Sequence, residues 1–491
     1  MDLVEKIAVE TDEAMDNGDK NALLEAIQTI DIELLRAPDA RSVPILNYCR
    51  ANAYSALKQL SPDYKANPFG WQQAEVTEEI LSLRRARKSE AFSELDLVRR
   101  AQILTNLGNA LNTVGRSIDA VSAWDEALDL IPTFAMAAGN RAYGLTTYSA
   151  GLYDTGHQCI FLSEAQKGYQ GALSPNAFWD SGFQSVVADQ FATKLDEISE
   201  YLAQHCQLDN FDPYDFDLGQ TDEERRFNQW RLENKLFLNP LNDLGGWPVA
   251  GQDVFHLPSH TYAIGEEPRF VKFFDLLKQE YAAACVLLWE GRIAESEEHH
   301  ADKSSLMFEH HDYSVSSIGI EKQKAAMRLA YSLLDKTAVF INDFFKLGKD
   351  PSRVSFRNIW FSDRGCKQIH TALPQENWRL RGLFSLSLDV YDTDLKTISS
   401  PLAARANDVR NAAEHRFLSV HEFGIPHDRI QLCEYVSEAE LYELSLHVIR
   451  LSRAAIMGLS LSVHHHEKFS KKDDETIIVP TVSLPRRRFR G

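Results

Sequence analysis

Positive charge is in the minority in this chain. Its 491 residues carry 52 Lys and Arg against 71 Asp and Glu, a formal charge of −19. That balance argues against a general, charge-driven grip on nucleic acid, while leaving room for a local basic cleft. Cysteine is sparse and scattered, at Cys49, Cys159, Cys206, Cys285, Cys366 and Cys433. No C-x-x-C pair occurs, so neither a zinc ribbon nor a disulfide framework is expected, and the thiols read as free and buried. Long apolar runs are missing too; the longest, 454–463, is too short to span a bilayer. The opening MDLVEKIAVETDEAMD lacks the basic start and apolar block of a secretion signal, so a cytoplasmic protein is expected. There is no phosphate loop, kinase signature or H-E-x-x-H, and neither cofactor nor metal is expected.

What is present is helical periodicity. Over 1–205 the chain reads as paired helices, most clearly at 101–134, AQILTNLGNALNTVGRSIDAVSAWDEALDLIPTF. Leu104, Leu107, Gly108 and Leu111 share one face of a first helix. Ala120, Trp124 and Ala127 share one face of a second, which Pro132 ends. The spacing is that of the tetratricopeptide (TPR) repeat, in which small residues let two helices approach and a large one fills the gap beside them. One repeat cannot bury its own core, so the degenerate neighbours at 20–39, 45–57 and 134–156 are expected to stack on it as a TPR-like solenoid.

Texture changes at 206–265, where acidic and Pro/Gly-rich stretches predict a connector of irregular loops. Asp212, Asp215 and Asp217 lack the spacing and closing Glu of a calcium loop and read as solvated. Apolar residues at three- and four-residue spacing return over 266–468. Helices are predicted at 270–291, 319–348, 378–391, 402–422 and 438–461, an α-bundle with almost no strand signal. A loosely ordered polar tail, 469–491, ends in LPRRRFRG with Arg486, Arg487, Arg488 and Arg490. The fold class expected is all-α.

Within the predicted helix 402–422 lies DVRNAAEHRFLSVHEF. On a helical wheel Val409, Ala413, Phe417 and Val420 form the core side. Asn411 and His415 lie on one polar flank, Arg410 and Glu414 on the other. An i,i+4 ion pair and a surface histidine would account for them equally well, and Arg416 to His421 repeats the Arg-to-His spacing.

The segment RNAAEHRF resembles the R-N-x-x-x-H signature of HEPN (higher eukaryotes and prokaryotes nucleotide-binding) ribonuclease domains. The blocks LLKQEYAAACVLLWEG, EKQKAAMRLAYSLLDKTAVFINDFF, NWRLRGLFSLSLDVY and VRNAAEHRFLSV resemble, in order, those of a bacterial HEPN branch that also carries TPR-like helices in front. The resemblance implies a metal-independent endoribonuclease. His415 would be the acid/base, Arg410 would bind the scissile phosphate, and Asn411 would orient the His or the phosphate. Glu414 and Arg416 would be supporting residues. These residue types suit the chemistry: imidazole exchanges protons near neutral pH, and guanidinium offers a charged planar fork to phosphate oxygens. Attack by RNA's own 2′-hydroxyl needs no activated water and spares DNA. Arg410 and His415 lie about 140° apart on one helix, so a site shared across a homodimer of the C-terminal bundle is expected. A toxin or antiphage effector with RNA as substrate and a peptide or protein partner on the TPR-like region is the reading that follows. A catalytically inactive scaffold and a nucleotide-sensing protein are the alternatives.

Two histidine clusters are weighed as incidental surface groups. The first holds His299, His300, His310 and His311 among Glu297, Glu298, Asp302 and Asp312; the second is His464, His465 and His466. Phe340, Phe344, Phe345, Trp360, Phe361 and Trp378 read as core rather than as a base-stacking surface.

Overall fold

The computed structural model describes residues 3–36, 38–180, 184–263, 267, 269–294, 299–304, 306, 308, 312–363, 365, 367–393, 395, 397–423, 431–469 and 476–479. Among them the protein is mainly α, with seventeen α-helices and two small sheets. The chain divides into two compact units. One comprises 1–217, 240–249 and 381–408; the other comprises 218–239, 250–380 and 409–491.

In the first unit successive helices pack in pairs: Ser42–Leu60 on Ala74–Lys88, Leu97–Thr113 on Ser117–Leu130, and Ala135–Ser149 on Thr155–Ala172. Local chemistry sets their ends. Asp96 caps Leu97–Thr113 by accepting from the Arg99 amide at 2.9 Å. The same helix stops at Gly115, whose φ of +83° is open to glycine. There the Arg116 amide bonds the Leu111 carbonyl and the Gly115 amide that of Asn112, the paired closure of a Schellman motif. Trp124 is buried at the centre, its Nε1 donating to the Thr105 carbonyl and Asn109 Oδ1. Burying roughly 200 Å² of indole at about 25 cal/mol per Å² gives an upper figure of about 5 kcal/mol. The room for it comes from glycine: a Cβ on Gly108 would lie 2.5 Å from Trp124 Nε1, and one on Gly144 2.1 Å from its Cζ3.

The same unit contains a buried charge cluster. Asp389, from 381–408, accepts from Arg84 at 2.5 Å, Arg116 at 2.8 Å and the Ser399 hydroxyl at 2.5 Å. Burial alone would raise its pKa; the guanidiniums of Arg116 and Arg84 instead hold it well below the usual carboxylate range.

In the second unit three long helices, Phe270–Ala294, Ile318–Phe344 and Glu438–Phe469, pack on one another. A shorter helix, Asp222–Glu233, joins through Trp230, which lies 5.4 Å from the Trp289 ring and donates to the Tyr442 hydroxyl at 3.0 Å. Arg453 is buried. Its guanidinium serves the Phe237 and Asn239 carbonyls, and Tyr281 donates to that of Leu236, so the buried backbone of 236–239 is satisfied. Glu438–Phe469 is long and apolar enough to cross a membrane by length and composition, but 78% of its most apolar window is buried inside the protein.

Several expectations are corrected. Cys159 and Cys206 are not free thiols; they form a disulfide, with Cα atoms 5.7 Å apart, between helix Thr155–Ala172 and the segment after Gln184–His205. A separation of 47 residues hid this pairing from local spacing. Cys433 is free but only partly buried, and Cys366 lies outside the described residues. The helix expected over 402–422 ends at His415, and Phe417–His421 is a strand. Strand Ser314–Val315 pairs with it antiparallel and Cys433–Ser437 pairs with it parallel, Val420 lying opposite Val436. Both valines are buried, so the burial that the wheel assigned to a helix face is supplied by strands distant in sequence. Phe417, placed on that core face, is 73% exposed. A second antiparallel pair joins His260–Ala263 to Thr476–Val479. The segment read as a loop connector contains helix Asp222–Glu233. The last long helix runs past 463 to Phe469 and carries all three terminal histidines. The tail arginines Arg486, Arg487, Arg488 and Arg490 lie outside the described residues.

Candidate active site

Helix Ala403–His415 buries Ala403, Ala406, Val409 and Ala412, which turns Arg410, Glu414 and His415 outward. Arg410 is the best-held of these. Its Nη1 donates to Asn411 Oδ1 at 2.8 Å and lies 3.4 Å from Glu414 Oε2. Its guanidinium carbon sits 5.0 Å from the centre of the Tyr331 ring, on helix Ile318–Phe344. The side chain stays 24% exposed, so one edge of the fork remains open. The i,i+4 ion pair with Glu414 is thus present, but its partners are accessible enough to exchange with another anion.

His415 is the last residue of the helix, 67% exposed, with Nε2 3.9 Å from Glu414 Oε2. Glu414 therefore lies between the Arg and the His. Asn411 engages Arg410. Arg416 is exposed.

The second Arg-to-His spacing has a different environment. His421 is fully buried; its Nδ1 faces the Asp312 carbonyl at 3.0 Å and its Nε2 faces the Ser419 hydroxyl at 2.8 Å. In the neutral ring Nδ1–H donates to the carbonyl, and Nε2 accepts from the serine. Both nitrogens are occupied in the sheet, whereas the His415 side chain is 67% exposed.

The other expected clusters lie apart. His466 packs against Phe344 and Phe345, with ring centres 5.6 and 5.2 Å away. Phe344 is thirteen residues beyond Tyr331 on one helix, about 20 Å at 1.5 Å per residue. The terminal histidines therefore do not adjoin Arg410. His464 Nε2 instead contacts the His256 carbonyl at 3.1 Å. His299 and His300 stack at 4.1 Å, while His310, His311, Glu297 and Glu298 lie outside the described residues. Among the described residues no group of three or more His, Cys, Asp or Glu is placed to hold a metal ion. Phe340, Phe345, Trp360 and Phe361 are buried core.

Residues 261–466 match the family model for LA2681-like HEPN. That span contains Arg410, Asn411 and His415 together with the first two long helices and all but the last turn of the third. This chain carries a HEPN domain. HEPN domains are commonly ribonucleases and typically bind RNA, often as dimers, although some are inactive. No curated protein and no solved structure matches the chain. Sequence reasoning passed over one residue of this HEPN domain that touches the site, Tyr331. Its signal was visible: in EKQKAAMRLAY, Lys324, Arg328 and Tyr331 recur at four and three residues.

Proposed function

We propose that the HEPN domain is a metal-independent endoribonuclease. The observation that carries the reading is the contrast between two histidines at equal spacing from an arginine. His415 is exposed at a helix end next to Glu414, the residue that Arg410 also faces; His421 has both ring nitrogens committed. In the proposed reaction His415 accepts the proton of a ribose 2′-hydroxyl. The 2′-oxygen bonds to the adjacent phosphorus, the bond to the 5′-oxygen breaks, and the imidazolium returns a proton to that oxygen. Arg410 holds the non-bridging oxygens, trading Glu414 for phosphate, and Asn411 fixes its orientation. The products are a 2′,3′-cyclic phosphate and a 5′-hydroxyl. Since Arg410 and His415 are about 140° apart around one helix, we propose that two subunits line one groove with two copies of each. The paired helices of the first unit, TPR-like in pattern, would receive a peptide or protein that governs release of the activity, as in a cytoplasmic toxin or antiphage effector.

Incubating the purified protein with RNA tests this. Cleavage that survives EDTA, leaves cyclic phosphate ends and falls about 10²- to 10⁴-fold in His415→Ala is the expected result. Cleavage unchanged in His415→Ala, or abolished by EDTA, overturns it. Nucleotide binding without turnover would favour a sensor instead.

A further inference from the structure

Helix Ile318–Phe344 touches the signature segment at two points. Lys324 Nζ reaches the Leu418 carbonyl at 3.4 Å, and the Tyr331 ring lies under Arg410. Taking Lys324 as zero, Arg328 stands at about +40° and Tyr331 at about −20°. All three share one face, and Arg328 lies between the two contacts. It is partly buried, and among the described residues it has no hydrogen-bond or ion-pair partner. A partly exposed guanidinium without an anion is open to one that arrives from outside. Lys324, its side chain 14% exposed, pairs at 2.8 Å with Glu321, which is 59% exposed. In a chain of charge −19, Lys324, Arg328 and Arg410 thus form a local cationic row.

We propose that Lys324 and Arg328 form a phosphate track that positions single-stranded RNA across the site of Arg410 and His415. The proposal deepens the nuclease reading and rests on it for the identity of the strand. The four-residue step places Lys324 and Arg328 about 6 Å apart along the helix axis, and the three-residue step places Tyr331, which lies under Arg410, about 4.5 Å further on. Such a row follows a backbone and takes no account of bases. Lys324 and Arg328 are positioning residues: their loss weakens capture and leaves the chemical step intact.

The test uses the full chain and a short single-stranded RNA with a fluorophore and a quencher. Arg328→Gln is expected to raise KM about tenfold, with kcat within twofold, the size of one lost charged contact. The slope of log kcat/KM against log salt should become shallower by about 0.7, one single-strand phosphate contact. Lys324→Gln should act in the same direction. Arg328→Lys, which keeps the charge and guards against a folding artefact, should restore most of the salt slope. Lys322→Gln removes the same charge about 160° around the helix and should leave KM and slope unchanged. Equal behaviour of Arg328→Gln and Lys322→Gln, or loss confined to kcat, overturns the track. If the wild type does not cleave, anisotropy with a 2′-O-methyl RNA separates the readings. Salt-dependent binding weakened by Arg328→Gln and not by Lys322→Gln keeps the track and removes the nuclease; binding weakened by neither, or no salt-dependent binding, removes both.

Discussion

At the scale of single residues the site turns on the shape of a charge. Arg410 makes a hydrogen bond to Asn411, faces Glu414 and rests on an aromatic ring. Lysine would keep the charge but lose the planar fork and most of the stacking. Arg410→Lys is expected to lower kcat/KM roughly ten- to a hundredfold, the value of one charge-assisted hydrogen bond, and steady-state cleavage measures it. Titration acts at another place. Burial lowers the pKa of His465 and His466, with Glu376 opposing the shift in both. Both lie below the imidazole value of about 6.5 that holds in the unfolded chain. Between those values the unfolded chain binds more protons, so stability is full above about pH 6.5 and falls as pH drops toward the folded pKa values. The urea midpoint should be lower at pH 5.5 than at 7.5, and His466→Phe should narrow the gap. An equal gap in that variant would refute this account.

Elements show what local pattern reveals and what it conceals. The close approach at Gly108 was legible because the tryptophan that needs it sits in the next helix of the same repeat. Gly108→Ala should cost about 1–3 kcal/mol through overpacking, read from the denaturant midpoint. The end of helix Ala403–His415 was not legible. Phe417 and Val420 continue its wheel pattern, and the strands that take over, Ser314–Val315 and Cys433–Ser437, come from elsewhere in the chain. Arg410, Asn411 and His415 were legible as a motif, but the ring under Arg410 belongs to another helix and was missed. Phe417→Ala discriminates between helix and strand. A helical core residue would cost about 3–5 kcal/mol on truncation; the exposed strand residue should cost less than about 0.5 kcal/mol.

For the molecule as a whole, stability depends on links between distant parts of the sequence. Asp389 closes the first unit by pairing with Arg84 and Arg116, some 300 residues earlier. Asp389→Asn leaves Arg84 without its carboxylate and Arg116 with Asp119 alone, and should cost about 3–5 kcal/mol, seen as a lower midpoint for the first unit. Its pKa is depressed, so this stabilisation is present above the unfolded carboxylate value and is lost only in acid, as pH falls toward the folded pKa. The Cys159–Cys206 bridge acts through the unfolded chain. Closing a loop over 47 residues corresponds to about 4 kcal/mol in the chain-entropy model, and reduction should lower the midpoint of the first unit accordingly. Neither link has a neighbour in sequence to announce it.

The interleaving of the two units sets a timetable for synthesis. The first needs residues as late as 408, and the second draws on 218–239 as well as everything after 409. A chain still emerging from the ribosome can complete neither until most of its length is out. Asp389 must be made before Arg84 finds its carboxylate, and Arg453 before the carbonyls of Phe237 and Asn239 find their donor. Nascent chains stopped before about residue 380 lack both Asp389 and Arg453, and the arginine–histidine signature emerges only after that point.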